Sequence, residues 1–253
     1  LNVWVHDDGS KPQHQSLELR SSVWDGAQWS APISVTNDLV MDQQPALVAT
    51  AGGAMAFWTR LNSIITGTVP TTPTQVFPQM EIAYATYTTT SNTWSAPQYL
   101  TSNALMDFLP SARSAPTQTM VMWLRDPDNN FPTFPTDAIA LNEDVYYALR
   151  AGTAWVISPT LALSGIATSE QPQFLYNGRW ALLVWSQDTD GNPTTTADTQ
   201  LTYSTWTVTG TNWSAPQVIT TNAVADLSPR RAFDSAGLAH LLWSQETADT
   251  DNP

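Results

Sequence analysis

Apolar and polar residues alternate in short runs along the chain, and no stretch keeps the three-and-four spacing of a helix face. Four runs share one form: Ala54 to Arg60, Met120 to Arg125, Ala181 to Gln187 and Ala239 to Gln245, each carrying a tryptophan. Before each lies another apolar run, Ala46 to Thr50, Ser111 to Ala115, Gln173 to Tyr176 and Arg230 to Phe233. Turn residues separate the two: Gly52-Gly53, Pro116-Thr117-Gln118, Asn177-Gly178 and Ser235-Ala236-Gly237. Short strands joined by tight turns account for this pattern, which predicts an all-β protein.

The runs recur because the chain is a repeat. Trp29-Ser30-Ala31-Pro32, Trp94-Ser95-Ala96-Pro97 and Trp213-Ser214-Ala215-Pro216 are copies of one element, and Trp155-Val156-Ile157-Ser158-Pro159 is a looser copy. A proline follows each, at Pro45, Pro110, Pro172 and Pro229, and then the second tryptophan, at Trp58, Trp123, Trp185 and Trp243. The first interval is 16, 16, 17 and 16 residues and the second is 13, 13, 13 and 14. From Trp4, Trp58, Trp123 and Trp185 to the next Trp-Ser-Ala-Pro element it is 25, 36, 32 and 28, so the length variation is confined to one connection per repeat. Such a period signals a radial or stacked architecture.

Each repeat predicts four strands. One begins at the proline, where the missing N–H costs no ladder bond. The second bears the tryptophan, the third carries Tyr84, Tyr146-Tyr147 or Tyr203 (Leu19 in the first copy), and the Trp-Ser-Ala-Pro element is the fourth. Four-stranded antiparallel units of roughly 60 residues have the size of β-propeller blades. The expected organisation is a single β-propeller domain over 1–253, with repeats 1–53, 54–118, 119–178 and 179–236 and a partial repeat 237–253. The tryptophan strand occurs five times and the others four. Either a closed four-bladed ring or an arc of a larger propeller fits that census. The arc would self-associate through its open blade edges.

A small residue stands three before each Trp of the fourth strand: Gly26, Ser91, Gly152 and Gly210. With Ser22, Gly26 and Trp29, and with Thr93 and Trp94, this turn resembles a worn Asp-box of sialidase-like (BNR-repeat) propellers, Ser-x-Asp-x-Gly-x-Thr-Trp. Trp24, Thr89, Arg150 and Val208 occupy the Asp position. The resemblance implies the fold. That fold hosts sialidases, other glycosidases, lectins and non-catalytic surface modules, so it assigns no chemistry.

Composition narrows the classes. Charged residues make up only 12 %, against a usual share of about 25 %. With 22 acidic and 9 basic side chains, the net charge of −13 argues against nucleic acid, whose phosphates need clustered Lys and Arg, and against anionic membranes. Cysteine is absent, which rules out disulfides, thiolate metal sites and a cysteine nucleophile. Pro45 to Trp58 is too short and too interrupted to insert in a membrane. A chain opening at Leu1 without a leader is expected of a mature protein or an excised piece, here secreted or at the cell surface.

The variable connections, 7–15, 61–80, 126–143 and 188–200, project from one face in an up-and-down blade, and function on a rigid scaffold resides in such loops. Phe77, Phe131 and Phe134 are candidate sugar-stacking aromatics there, with Arg60 and Arg125 beside them. Asp126, Asp128 and Asn130, and Asp188, Asp190 and Asn192, place oxygens on alternate residues as a Ca²⁺ loop would, although the twelve-residue loop and its closing Glu are missing. Asp42, Asp107 and Asp226 recur three residues before a proline. They are either the paired acids of a glycosidase, working with Arg60 and Arg125, or turn-forming residues needed in every repeat. Recurrence at equivalent positions favours the second, since catalysis needs acids in unlike environments. The function expected is a non-catalytic extracellular propeller that binds a glycan or a protein. A sialidase-like glycoside hydrolase and a structural unit of a surface assembly are the alternatives.

Overall fold

In the computed structural model the described residues are 1–67, 70, 72–129, 140–168, 170–192, 195, 197–210 and 212–246. The first sheet contains β1 (Asn2–Asp7), β2 (Leu17–Ser22) and β3 (Ile33–Ser34), in that order. The second contains β4 (Asp42–Thr50), β5 (Gly53–Leu61), β6 (Met80–Thr88) and β7 (Thr93–Trp94), with β8 (Gln98–Tyr99) also pairing β6. The third runs β9 (Met106–Ala115), β10 (Gln118–Asp126), β11 (Ala140–Ala151) and β12 (Ala154–Thr168). The fourth runs β13 (Gln173–Tyr176), β14 (Trp180–Gln187), β15 (Gln200–Thr207) and β16 (Gln217–Val218), and β17 (Asp226–Phe233) pairs β18 (Ala239–Gln245). Neighbours in sequence are neighbours in each sheet, which is the meander of a propeller blade. No helix among the described residues is long and apolar enough to cross a membrane.

Two compact units divide the chain, residues 1–130 with 146–160, and residues 131–145 with 161–253. In the first, alternating inward side chains of β4, β5, β6 and β10 build a core from Val48, Met55, Phe57, Ile82, Val121 and Trp123. A second cluster joins Leu19 and Val35 to Ala56, Trp58, Ala83 and Ala85. In the second unit Phe174, Leu183, Trp185 and Leu201 are fully buried.

The prolines sit differently from the expectation. Pro172 does immediately precede its strand, but Pro45, Pro110 and Pro229 lie inside β4, β9 and β17. Each marks a bulge, seen as register breaks between Gln43 and Ala46, opposite Met122 and Leu124, and between Leu227 and Arg230. The residue before each proline, Gln44, Leu109 or Ser228, has φ near +50° (53, 50 and 53). A proline without an N–H is tolerated where the ladder is already interrupted. These strands therefore start four, five and four residues earlier than the alternation indicates, at Asp42, Met106 and Asp226.

The Trp-Ser-Ala-Pro element has a local cause. The hydroxyls of Ser30, Ser95 and Ser214 accept the backbone N–H of Val23, Thr86 and Thr205 and donate to the carbonyls of Ala31, Ala96 and Ala215. One serine thus stitches the fourth segment to the third strand in three sheets.

Candidate functional site

The bulge turns the aspartate at each strand start toward the tryptophan strand. Asp42, Asp107 and Asp226 are all 0 % exposed. Each accepts the indole N–H of its sheet's tryptophan: Trp58 Nε1 to Asp42 at 2.6 Å, Trp123 Nε1 to Asp107 at 2.8 Å, and Trp243 Nε1 to Asp226 at 2.8 Å. Each also faces the residue two beyond that tryptophan across the ladder, Arg60, Arg125 or Gln245. Arg60 Nη1 donates to both oxygens of Asp42 at 2.6 and 2.8 Å, while its Nη2 lies 2.5 Å from Asp38 Oδ2. Arg125 Nε and Nη2 grip Asp107 at 2.8 and 2.9 Å, and the guanidinium stacks 3.9 Å from the Tyr146 ring centroid. Gln245 Nε2 donates to Asp226 at 3.0 Å.

A further acid layer, not singled out from the sequence, surrounds these pairs. Glu18 Oε1 accepts the Asp38 amide at 2.8 Å, Glu81 Oε1 the Asn103 amide at 2.5 Å, and Gln200 Oε1 the Asn222 amide at 3.0 Å. Asn103 and Asn222 in turn donate to Asp107 and Asp226 at 2.8 and 2.7 Å. The signal was present as Glu18, Glu81, Glu143 and Gln200, recurring near the start of each third strand.

Burial governs the electrostatics. It pushes the Asp42 carboxyl up to about 6, against the pull of Arg60. It also raises Glu81 to about 7, reinforced by the charge of Asp107 and opposed by the Asn103 amide and Thr101. Burial raises Glu18 as well. Asp226 falls below its ordinary value because donors from Asn222, Thr220, Trp243 and Gln245 outweigh burial. Glu18, Asp38 and Asp42 approach one another closely enough to hold a cation, but Lys11 and Arg60 already supply positive charge there.

The loop candidates are placed as follows. Phe77 is half-buried in a 3-10 turn, Phe77–Gln79. Phe131, Phe134 and Asn130 lie outside the described residues. Asp126 is buried and its Oδ1 accepts the Asp128 amide at 3.1 Å. Asp188 Oδ1 accepts the Gly191 amide at 2.6 Å, and Asp190 Oδ1 the Asn192 amide at 2.7 Å. Asp198, absent from the sequence pattern, joins Asp188 and Asp190 in one group.

No family model and no curated protein matches the chain. The fold is similar to that of Trypanosoma rangeli sialidase. Its complex with the inhibitor DANA superposes with a TM-score of 0.52 at 9 % identity, over 91 % of this chain and 39 % of that one. Its covalent intermediate with 2,3-difluorosialic acid gives 0.51 at 10 % identity, with the same coverages of 91 % and 39 %. An α-L-arabinofuranosidase from Lactobacillus brevis covers 96 % of this chain and 82 % of its own at 12 % identity, with a TM-score of 0.45. This chain spans about two fifths of the sialidase chain. At these identities the likeness is one of fold, and the chain has the all-β, four-stranded antiparallel blades of a sialidase-like propeller.

Proposed function

We propose that this chain is a non-catalytic binding propeller that recognises a carbohydrate through its variable loop face, outside the cell. One observation carries the reading: the recurrent acids and arginines are consumed internally. Asp42 and Asp107 have no exposed surface, and Arg60 and Arg125 spend their donors on them. An arginine held bidentately by a buried aspartate has little left for a substrate carboxylate. An acid sealed behind an indole cannot protonate a glycosidic oxygen within hydrogen-bond reach. Carbohydrate is favoured as the ligand class because the similar folds include a sialidase.

A glycan array combined with aryl glycoside assays tests the reading. Binding without turnover is the expected result. The second reading, a sialidase-like glycoside hydrolase, is favoured by the Glu81–Asp107 pair, whose shared environment raises one carboxyl to about 7, as in acid/base pairs. Turnover that disappears in a folded Asp107→Asn variant would establish that reading and displace the first.

A further inference from the structure

The loop between β14 and β15 gathers three carboxylates with no cationic side chain paired to them among the described residues. Asp188, Asp190 and Asp198 each offer an oxygen, all within 4.8 Å of one another. Asp188 is only 4 % exposed, and its Oδ2 is sealed from solvent with no hydrogen-bond partner among the described residues. Oδ1 of Asp198 is in the same condition. Carboxylate oxygens that are buried and unpaired are costly, and natural folds satisfy nearly all such groups with a protein donor, a water or an ion.

The loop backbone holds these acids in place. Loop amides take one oxygen of each: Gly191 on Asp188, Asn192 on Asp190, and Thr189 and Asp190 on Asp198 Oδ2 at 3.0 and 2.9 Å. The contrast with the first unit is instructive. Lys11 and Arg60 stand against Glu18, Asp38 and Asp42. Among the described residues no Lys, Arg or His forms an ion pair with Asp188, Asp190 or Asp198.

We propose that Asp188, Asp190 and Asp198 bind one Ca²⁺ ion. The donor set is oxygen only, which selects a hard cation over zinc or copper. Three carboxylates leave positions for water and carbonyl oxygens, as the high and adaptable coordination number of Ca²⁺ requires. Mg²⁺ demands tighter octahedral geometry and sheds water reluctantly. The ion fixes the base of one variable loop, and the proposal is independent of what the loop face recognises.

The test is calorimetric titration of CaCl₂ into the full chain after EDTA treatment, with melting followed in parallel. One ion per chain and a raised melting temperature are expected, with MgCl₂ at equal concentration giving neither. Asp198→Asn should weaken binding by at least about tenfold, the smallest loss typical even of residues that only support a ligand. Its near-UV circular dichroism should match the parent. Asp38→Asn, in the cluster already neutralised by Arg60, should bind as the parent does. Absence of calcium heat from the folded EDTA-treated protein would overturn the proposal, as would parental affinity in Asp198→Asn or in an Asp188→Asn/Asp198→Asn double variant.

Discussion

Replacing Glu81 by glutamine should stabilise the protein above neutral pH and leave it nearly unchanged in acid. Glu81 is 1 % exposed, and burial together with the charge of Asp107 lifts its carboxyl from 4.5 to about 7. The folded state therefore holds the proton more tightly than the unfolded chain. Between those two values the native protein binds more protons, so stability falls as pH rises. The contribution is fully present below pH 4.5 and is lost as pH climbs through about 7. At about 1.4 kcal/mol per unit, the cost of holding the charged form at alkaline pH is on the order of 3 kcal/mol.

Glutamine removes that cost and keeps the bond that Oε1 accepts from the Asn103 backbone N–H, losing only the 3.2 Å bond from Asn103 Nδ2 to Oε2. The fold supplies its own precedent at Gln200, whose Oε1 accepts the Asn222 amide while Nε2 donates to the Asn222 and Val224 carbonyls. Urea unfolding of the parent and Glu81→Gln across the range from about pH 4 to 8 measures the difference directly. The two curves should meet in acid and separate by up to about 3 kcal/mol at the alkaline end, with the variant the more stable. A variant less stable than the parent at alkaline pH, or one that keeps the parent's pH slope, would refute the assignment of a costly buried charge to Glu81.

Other outcomes follow from the same contacts. Asp107→Asn should cost about 3–5 kcal/mol in chemical denaturation, because it leaves Arg125 largely unpaired. Arg125→Gln should cost clearly less, since Gln245 occupies the equivalent place beside Asp226. Trp94→Ala should lose about 3 kcal/mol, as its indole donates to Ser21 and packs 5.3 Å from Tyr87. Trp29→Ala should lose less than about 1 kcal/mol by the same measurement, because Trp29 is 53 % exposed and touches mainly the equally open Trp24.

The strands were legible because alternation and turn chemistry are local. β13 and β18 match their expected bounds throughout, at Gln173–Tyr176 and Ala239–Gln245. The starts of β4, β9 and β17 were not, because a left-handed residue before a proline looks in sequence like a strand boundary and not a bulge within a strand. Asp42, Asp107 and Asp226 were legible as a recurrence, but their partners were not. The pairing of Asp42 with Trp58 and Arg60 depends on register across a bulge, which residue spacing does not encode. Asp198 was hidden for a related reason: it returns to Asp188 and Asp190 only when the loop closes.

The fourth sheet shows why the aspartate recurs at all. There Ser169 takes its place in the sequence, and Trp185 Nε1 donates instead to Gln187 Oε1 at 2.6 Å. A buried indole N–H needs an acceptor, and the repeat supplies one by whichever side chain reaches it. That requirement changes the meaning of the net charge. Glu18, Asp42, Glu81, Asp107, Asp126, Glu143, Asp188 and Asp226 are all buried, whereas Arg60 is the one buried cation among the described residues. Much of the acidic excess therefore lies within the blades and not on the loop face. Salt screens surface charge and leaves buried charge largely untouched, so proton uptake should change this protein's stability more than ionic strength does.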